Sequence, residues 1–123
     1  MSKIRLLFVD DEREYLEQIE ILFGLYEKFE VHTLNNPELA IHKAAILKPD
    51  IIFLDVSMPE MDGGELAVSL RENPVTQDIP IVFLTAIISQ TEKGLHGGQL
   101  FLPKPASIEE ILNVCQDLIN DGE

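Results

Sequence analysis

Five short runs of strand length punctuate the chain: Ile4 to Val9, Phe29 to Leu34, Ile51 to Leu54, Ile79 to Leu84 and Gln99 to Leu102. Short apolar runs bounded by turn residues read as strands buried on both faces. The segments between them change to helical spacing. Leu16, Ile19 and Phe23, with Tyr15, Leu22 and Tyr26, recur on one helical face, while Glu14, Glu17 and Glu20 fall elsewhere. Asn36-Pro37 reads as N-cap and first residue of a second helix, which carries Leu39, Ala40, Ala44 and Leu47 and stops at Pro49. Glu60 to Glu72 predicts a third helix, weakened by Gly63-Gly64 and ended by Asn73-Pro74. Residues 87–98 are weakly specified. Ser89 and Glu92 have capping-box spacing, but Gly94 and Gly97-Gly98 leave room for a short, irregular fourth helix only. The last helix is the clearest: Ser107 caps it, Glu110 completes the box, and Ile108, Ile111, Leu112, Cys115, Leu118 and Ile119 mark its buried stripe. Pro103 closes the fifth strand, as suits an edge strand. Strand and helix thus alternate five times, which predicts an α/β fold: a doubly wound, five-stranded parallel sheet with helices on both faces.

Composition narrows the class. A chain of 123 residues, 46 % hydrophobic and 25 % charged, is expected to form one domain (1–123, core about 3–120) with a real core. The net charge of −13 argues against direct contact with nucleic-acid backbones or anionic membranes and favours a cation or a basic partner face. No apolar run is long enough to span a bilayer, and the first residues lack the pattern of a signal peptide. One cysteine cannot form an internal disulfide. A cytoplasmic location is expected.

The candidate chemistry lies at strand ends. Asp10 and Asp11 end the first strand, Asp55 the third and Thr85 the fourth, and Lys104 follows the fifth. In a parallel sheet these ends share one rim, the place where ligands bind in open α/β sheets. Taken singly, each has a dull explanation: a loop or helix cap for Asp55, a favourable dipole contact for Asp10 and Asp11, a surface position for Lys104. Taken together they do not. Like charges about 4 Å apart repel by roughly 4 kcal/mol at an effective dielectric near 20, so three close carboxylates call for a cation. An all-oxygen cluster suits Mg²⁺ (or Mn²⁺), which often shares its shell with phosphate oxygens. A carboxylate can itself be a nucleophile toward phosphorus.

The motifs VDDE at Val9 to Glu12, LDVSMPEMDG at Leu54 to Gly63, LTA at Leu84 to Ala86 and FLPKP at Phe101 to Pro105 resemble those of the receiver domain of two-component response regulators. The resemblance covers about Lys3 to Asn120. It implies the flavodoxin-like strand order 2-1-3-4-5, the fold of the chemotaxis regulators in that family. It also implies that Asp55 accepts a phosphoryl group from a phosphohistidine on a sensor histidine kinase or phosphotransfer domain. Asp10, Asp11, Asp55 and the backbone carbonyl of Ser57 would hold the metal, and Lys104 would touch the phosphoryl group. Thr85 and Phe101 would form the switch pair, and a cis bond is expected between Lys104 and Pro105. Further implications are a signalling switch without a substrate of its own, a downstream protein or C-terminal output domain as partner, and room for a phosphorylation-dependent homodimer.

Two features depart from the family pattern: Gly64 replaces a large apolar residue, and the stretch from Thr85 to Lys104 is short. Competing readings fare worse. A phosphohydrolase with an Asp nucleophile would carry a second Asp two residues on, where Ser57 stands, and a flavin module would need a Ser/Thr/Gly-rich loop after the first strand. A receiver that has lost phosphorylation would lack one of the key positions, and all are filled. His32, His42 and His96 have no ligand spacing, Cys115 reads as a small buried hydrophobe, and Met58 and Met61 as loop packing.

Overall fold

In the computed structural model, which describes residues 3–56, 58, 62–86, 94–96 and 99–120, the elements follow the predicted order apart from residues 94–96. They are β1 (Ile4–Val9), α1 (Arg13–Phe23), β2 (Phe29–Leu34), a 3₁₀ turn (Pro37–Leu39) running into α2 (Ala40–Leu47), β3 (Ile51–Asp55), α3 (Gly63–Glu72), β4 (Ile81–Thr85), β5 (Gly94–His96), β6 (Gln99–Pro103) and α4 (Ile108–Asn120). The sheet order is β2-β1-β3-β4-β6-β5. Five strands are parallel, in the expected 2-1-3-4-5 order once the short β5 is set aside, and β5 pairs antiparallel with β6.

Part of the expectation for 87–98 is thereby corrected. Residues 94–96 form a strand where a helix was expected, and 87–93 and 97–98 lie outside the described residues. Four α-helices occur among the described residues. The edge reading of Pro103 is also revised: β6 has β4 on one side and β5 on the other, yet β5 pairs only with 99–101, so Pro103 sits past its reach. The missing N–H therefore breaks no ladder bond there.

Helix starts follow their caps. Asn36 Oδ1 accepts from Glu38 N at 3.0 Å, so the Asn-Pro cap nucleates a 3₁₀ turn before α2 proper. Asp62, not an earlier residue, caps α3: its side chain accepts from Gly64 N at 2.6 Å. Ser107 and Glu110 exchange the two bonds of a capping box, both at 3.0 Å.

Side chains alternate along each strand, so the sheet separates two apolar clusters. Leu6, Phe8, Ile51, Phe53, Val82, Leu84 and Leu102 face α1 and α4, where Leu16, Ile19, Phe23, Ile111 and Cys115 cover them. Leu7, Val9, Ile52, Leu54 and Phe83 face Ala40 and Ala44 of α2 and Leu66, Ala67 and Leu70 of α3. β3 is buried along its whole length, so its first four residues read as an unbroken apolar run before Asp55. Each fully buried Leu, Ile or Phe stabilises the fold by about 1.5–3 kcal/mol. Leu22, expected on the buried face of α1, is 41 % exposed.

Candidate functional site

The carboxyl ends of β1, β3, β4 and β6 bring Asp10, Asp55, Thr85 and Lys104 to one rim. Backbone bonds set their spacing. Asp10 N donates to Leu34 O at 3.1 Å, Val56 N to Leu84 O at 3.1 Å, and Lys104 N to Thr85 O at 2.9 Å. Asp10, Asp55 and Thr85 are 1 %, 5 % and 2 % exposed, a rare condition for such groups without partners. The Lys104–Pro105 bond is cis.

Gly63 fixes the loop that leaves β3. Its N–H donates to Val56 O at 2.9 Å. A Cβ there would lie 2.3 Å from the Asp55 carbonyl oxygen and 3.0 Å from Val56 Cα. Only a glycine allows this helix start to lie against the end of β3.

One carboxylate oxygen from each of Asp10, Asp11 and Asp55 lies within 4.8 Å of the others. The Lys104 ammonium enters the same space. Its Nζ is 2.8 Å from Asp10 Oδ2, 3.1 Å from Asp10 Oδ1 and 3.6 Å from Asp55 Oδ2. It also contacts Glu12 Oε1 and lies 5.2 Å from the centre of the Tyr15 ring. Asp10 Oδ1 accepts the Glu12 N–H at 2.8 Å. Burial pushes the Asp10 carboxyl above its ordinary range, although Lys104 and that N–H pull the other way. For Lys104 burial disfavours the charge, but hydrogen bonds to Asp10 and Glu12 and the charges of Asp10 and Asp55 outweigh it and raise the ammonium's pKa. Burial likewise raises the Tyr15 hydroxyl to about 12, so it stays neutral.

The donor set fits a hard divalent cation. It is all oxygen, and Asp10 Oδ2 is buried without a hydrogen bond, touching Lys104 only as an ion pair. Ser57, the source of the expected backbone ligand, lies outside the described residues. Thr85 sits at the end of β4 beside Pro103, and Phe101 stacks on Phe83 with centroids 5.1 Å apart.

Two further residues of the rim are not marked as site residues by the sequence pattern. Glu12 reads as the tail of an acidic motif and the start of a helix, and Tyr15 as one member of an apolar stripe. The available signal is their one-turn spacing at the head of α1, directly after Asp10 and Asp11. Glu12 adds a fourth carboxylate to the rim that Asp10, Asp11 and Asp55 share.

A family model, the response regulator receiver domain, matches residues 6–116. The chain belongs to that family. Among curated relatives, the receiver domain is 37 % identical over 112 residues to the response regulator MprA of Mycobacterium leprae, covering 89 % of this chain and 48 % of that protein. It is 38 % identical over 104 residues to the response regulator PleD of Caulobacter vibrioides, covering 82 % and 23 %. The receiver domain thus spans between about a quarter and a half of these relatives. The solved structure of the chemotaxis protein CheY4 of Vibrio cholerae superposes with a TM-score of 0.80 at 28 % identity, covering 95 % of this chain and 99 % of that one. Membership places the receiver domain in two-component signalling, where such domains generally act as switches and not as enzymes. No helix among the described residues is long and apolar enough to cross a membrane.

Proposed function

We propose that the chain is a single receiver domain, 1–123, that takes a phosphoryl group on Asp55 from a phosphohistidine of a sensor histidine kinase or phosphotransfer domain. The observation that carries this is the buried Asp55 carboxylate, 3.6 Å from the Lys104 ammonium and grouped with Asp10 and Asp11. An Asp55 oxygen attacks phosphorus, a P–O bond forms, the P–N bond breaks, and the imidazole keeps the electron pair. Asp10, Asp11 and Asp55, with the Ser57 carbonyl, would hold Mg²⁺ or Mn²⁺, which neutralises charge on the phosphoryl oxygens. Lys104 holds the phosphoryl group after transfer. Thr85 and Phe101 carry the change outward to a downstream protein or an output domain, or to a second copy of the chain. The switch acts in the cytoplasm, without direct nucleic-acid or membrane contact.

The test is labelling by acetyl phosphate with Mg²⁺, followed by intact mass. Wild type should gain one phosphoryl group. Asp55→Asn keeps the shape and removes the nucleophile, so it should gain none. An equal mass increment in the variant overturns the assignment.

A further inference from the structure

We propose that Glu12 and the Tyr15 ring form a resting seat for Lys104, so that Glu12 governs how readily the ammonium turns toward a group on Asp55. The inference rests on Asp55 as acceptor and makes Glu12 a positioning residue, because it acts through Lys104.

An ammonium has three protons to donate. In the seat the ammonium hydrogen-bonds Asp10 Oδ1 at 3.1 Å and Glu12 and pairs as an ion with Asp10 Oδ2 at 2.8 Å, while Asp55 at 3.6 Å lies beyond hydrogen-bond range. Tyr15 supports the ammonium through its ring face. To reach a phosphoryl oxygen on Asp55 the ammonium must shift from this position, which loosens its contact with Asp10 or with Glu12. Asp10 is the deeper anchor: its side chain is 1 % exposed, so water cannot take the ammonium's place beside it. Glu12 is the ready one. Its side chain is 63 % exposed, so water can replace the ammonium. A cavity of about 310 Å³, bounded by Glu12, Tyr15, Gln18, Lys104 and Pro105, gives the side chain room to withdraw.

The Glu12 side chain has no competing structural duty in helix formation. Its backbone is the N-cap of α1, with φ −86° and ψ 101°, but its carboxylate makes no capping bond. The contact spans 92 residues of sequence, so it ties the start of α1 to the loop after β6. Glu12 therefore draws Lys104 away from Asp55 in the resting protein and gives it up when Asp55 carries a group that competes for it.

The experiment uses the full chain with Mg²⁺ and beryllium fluoride, a phosphoryl mimic that binds a carboxylate oxygen. Glu12→Gln should bind the mimic about two- to fivefold more tightly than wild type, the ratio that corresponds to releasing one exposed ion pair. Glu12→Asp keeps the charge but shortens the reach, so it too should bind more tightly. Without any ligand, the Lys104 ammonium resonance should move in both variants. Affinities equal to wild type overturn the seat. A gain in Glu12→Gln alone also overturns it, because the cause is then charge at a distance. An unmoved Lys104 resonance does the same. Failure of wild type and both variants to bind the mimic overturns the Asp55 reading and the inference with it.

Discussion

Gly63→Ala isolates the contact that shapes the acidic rim. The new Cβ would stand 2.3 Å from the Asp55 carbonyl oxygen and 3.0 Å from Val56 Cα, both backbone atoms that cannot rotate aside. Relief requires moving the start of α3 away from β3 by ~1 Å, an overpacking strain worth ~1–3 kcal/mol. The same movement stretches the 2.9 Å bond from Gly63 N to Val56 O, worth about 1 kcal/mol. Alanine returns at most about 1 kcal/mol of helix propensity. The net expectation is a loss of about 2–3 kcal/mol, which for a domain of this size lowers Tm by roughly 10 °C. Gly64→Ala is the matched control. Its Cβ would meet the Asp62 Oδ1 at 3.1 Å, the tip of a side chain that can shift, so its stability should change by less than about 1 kcal/mol. Urea denaturation monitored by circular dichroism measures both, and a Mg²⁺ titration should find weaker binding in Gly63→Ala because the contact that holds the end of β3 against α3 is loosened. Equal stability of the two alanine variants would refute the reasoning.

Phe53→Ala removes a fully buried ring stacked on Phe8 at 4.5 Å and should cost about 3–5 kcal/mol; a urea midpoint close to wild type would contradict it. Thr85→Ala should accept label from acetyl phosphate yet lose the phosphorylation-dependent NMR shifts around Phe101, because a ligand biases two states only through contacts that differ between them; unchanged shifts would sink this role. Burial lifts the Cys115 thiol to about 12. The folded pKa lies above the unfolded value of about 8.5, so its contribution to stability is complete below that value and is lost as pH rises from there toward 12. At pH 8 the native protein should resist alkylation that the urea-unfolded chain accepts, and equal rates would show that Cys115 is accessible.

The strand ends are legible in sequence because apolar runs that stop at a carboxylate or hydroxyl leave few places to put it. Asp10, Asp55, Thr85 and Lys104 do converge, and the Ser107–Glu110 box forms as its spacing implies. β5 is not legible: three residues carry too little alternation to distinguish a strand, and they are held only by antiparallel pairing with residues 99–101. The start of α3 is misplaced by sequence pattern because a capping Asp followed by two glycines resembles a weak helix interior. Glu12 and Tyr15 escape notice as site residues because their contact with Lys104 joins positions far apart in sequence, which linear spacing does not encode.

The two-sided sheet has a consequence for how change is confined. Asp55 shares its side of β3 with Phe53, toward α1 and α4, whereas Thr85 shares its side of β4 with Phe83, toward α2 and α3. Carboxylate and hydroxyl thus stand above different interiors and meet only at the rim. Movement that begins at Thr85 can loosen the Phe83–Phe101 stack while the packing beneath Asp55 stays as it is. Even and odd positions of one strand then carry separate duties: in β4, trimming Leu84 disturbs the floor under Asp55, and trimming its neighbour Phe83 disturbs the stack with Phe101.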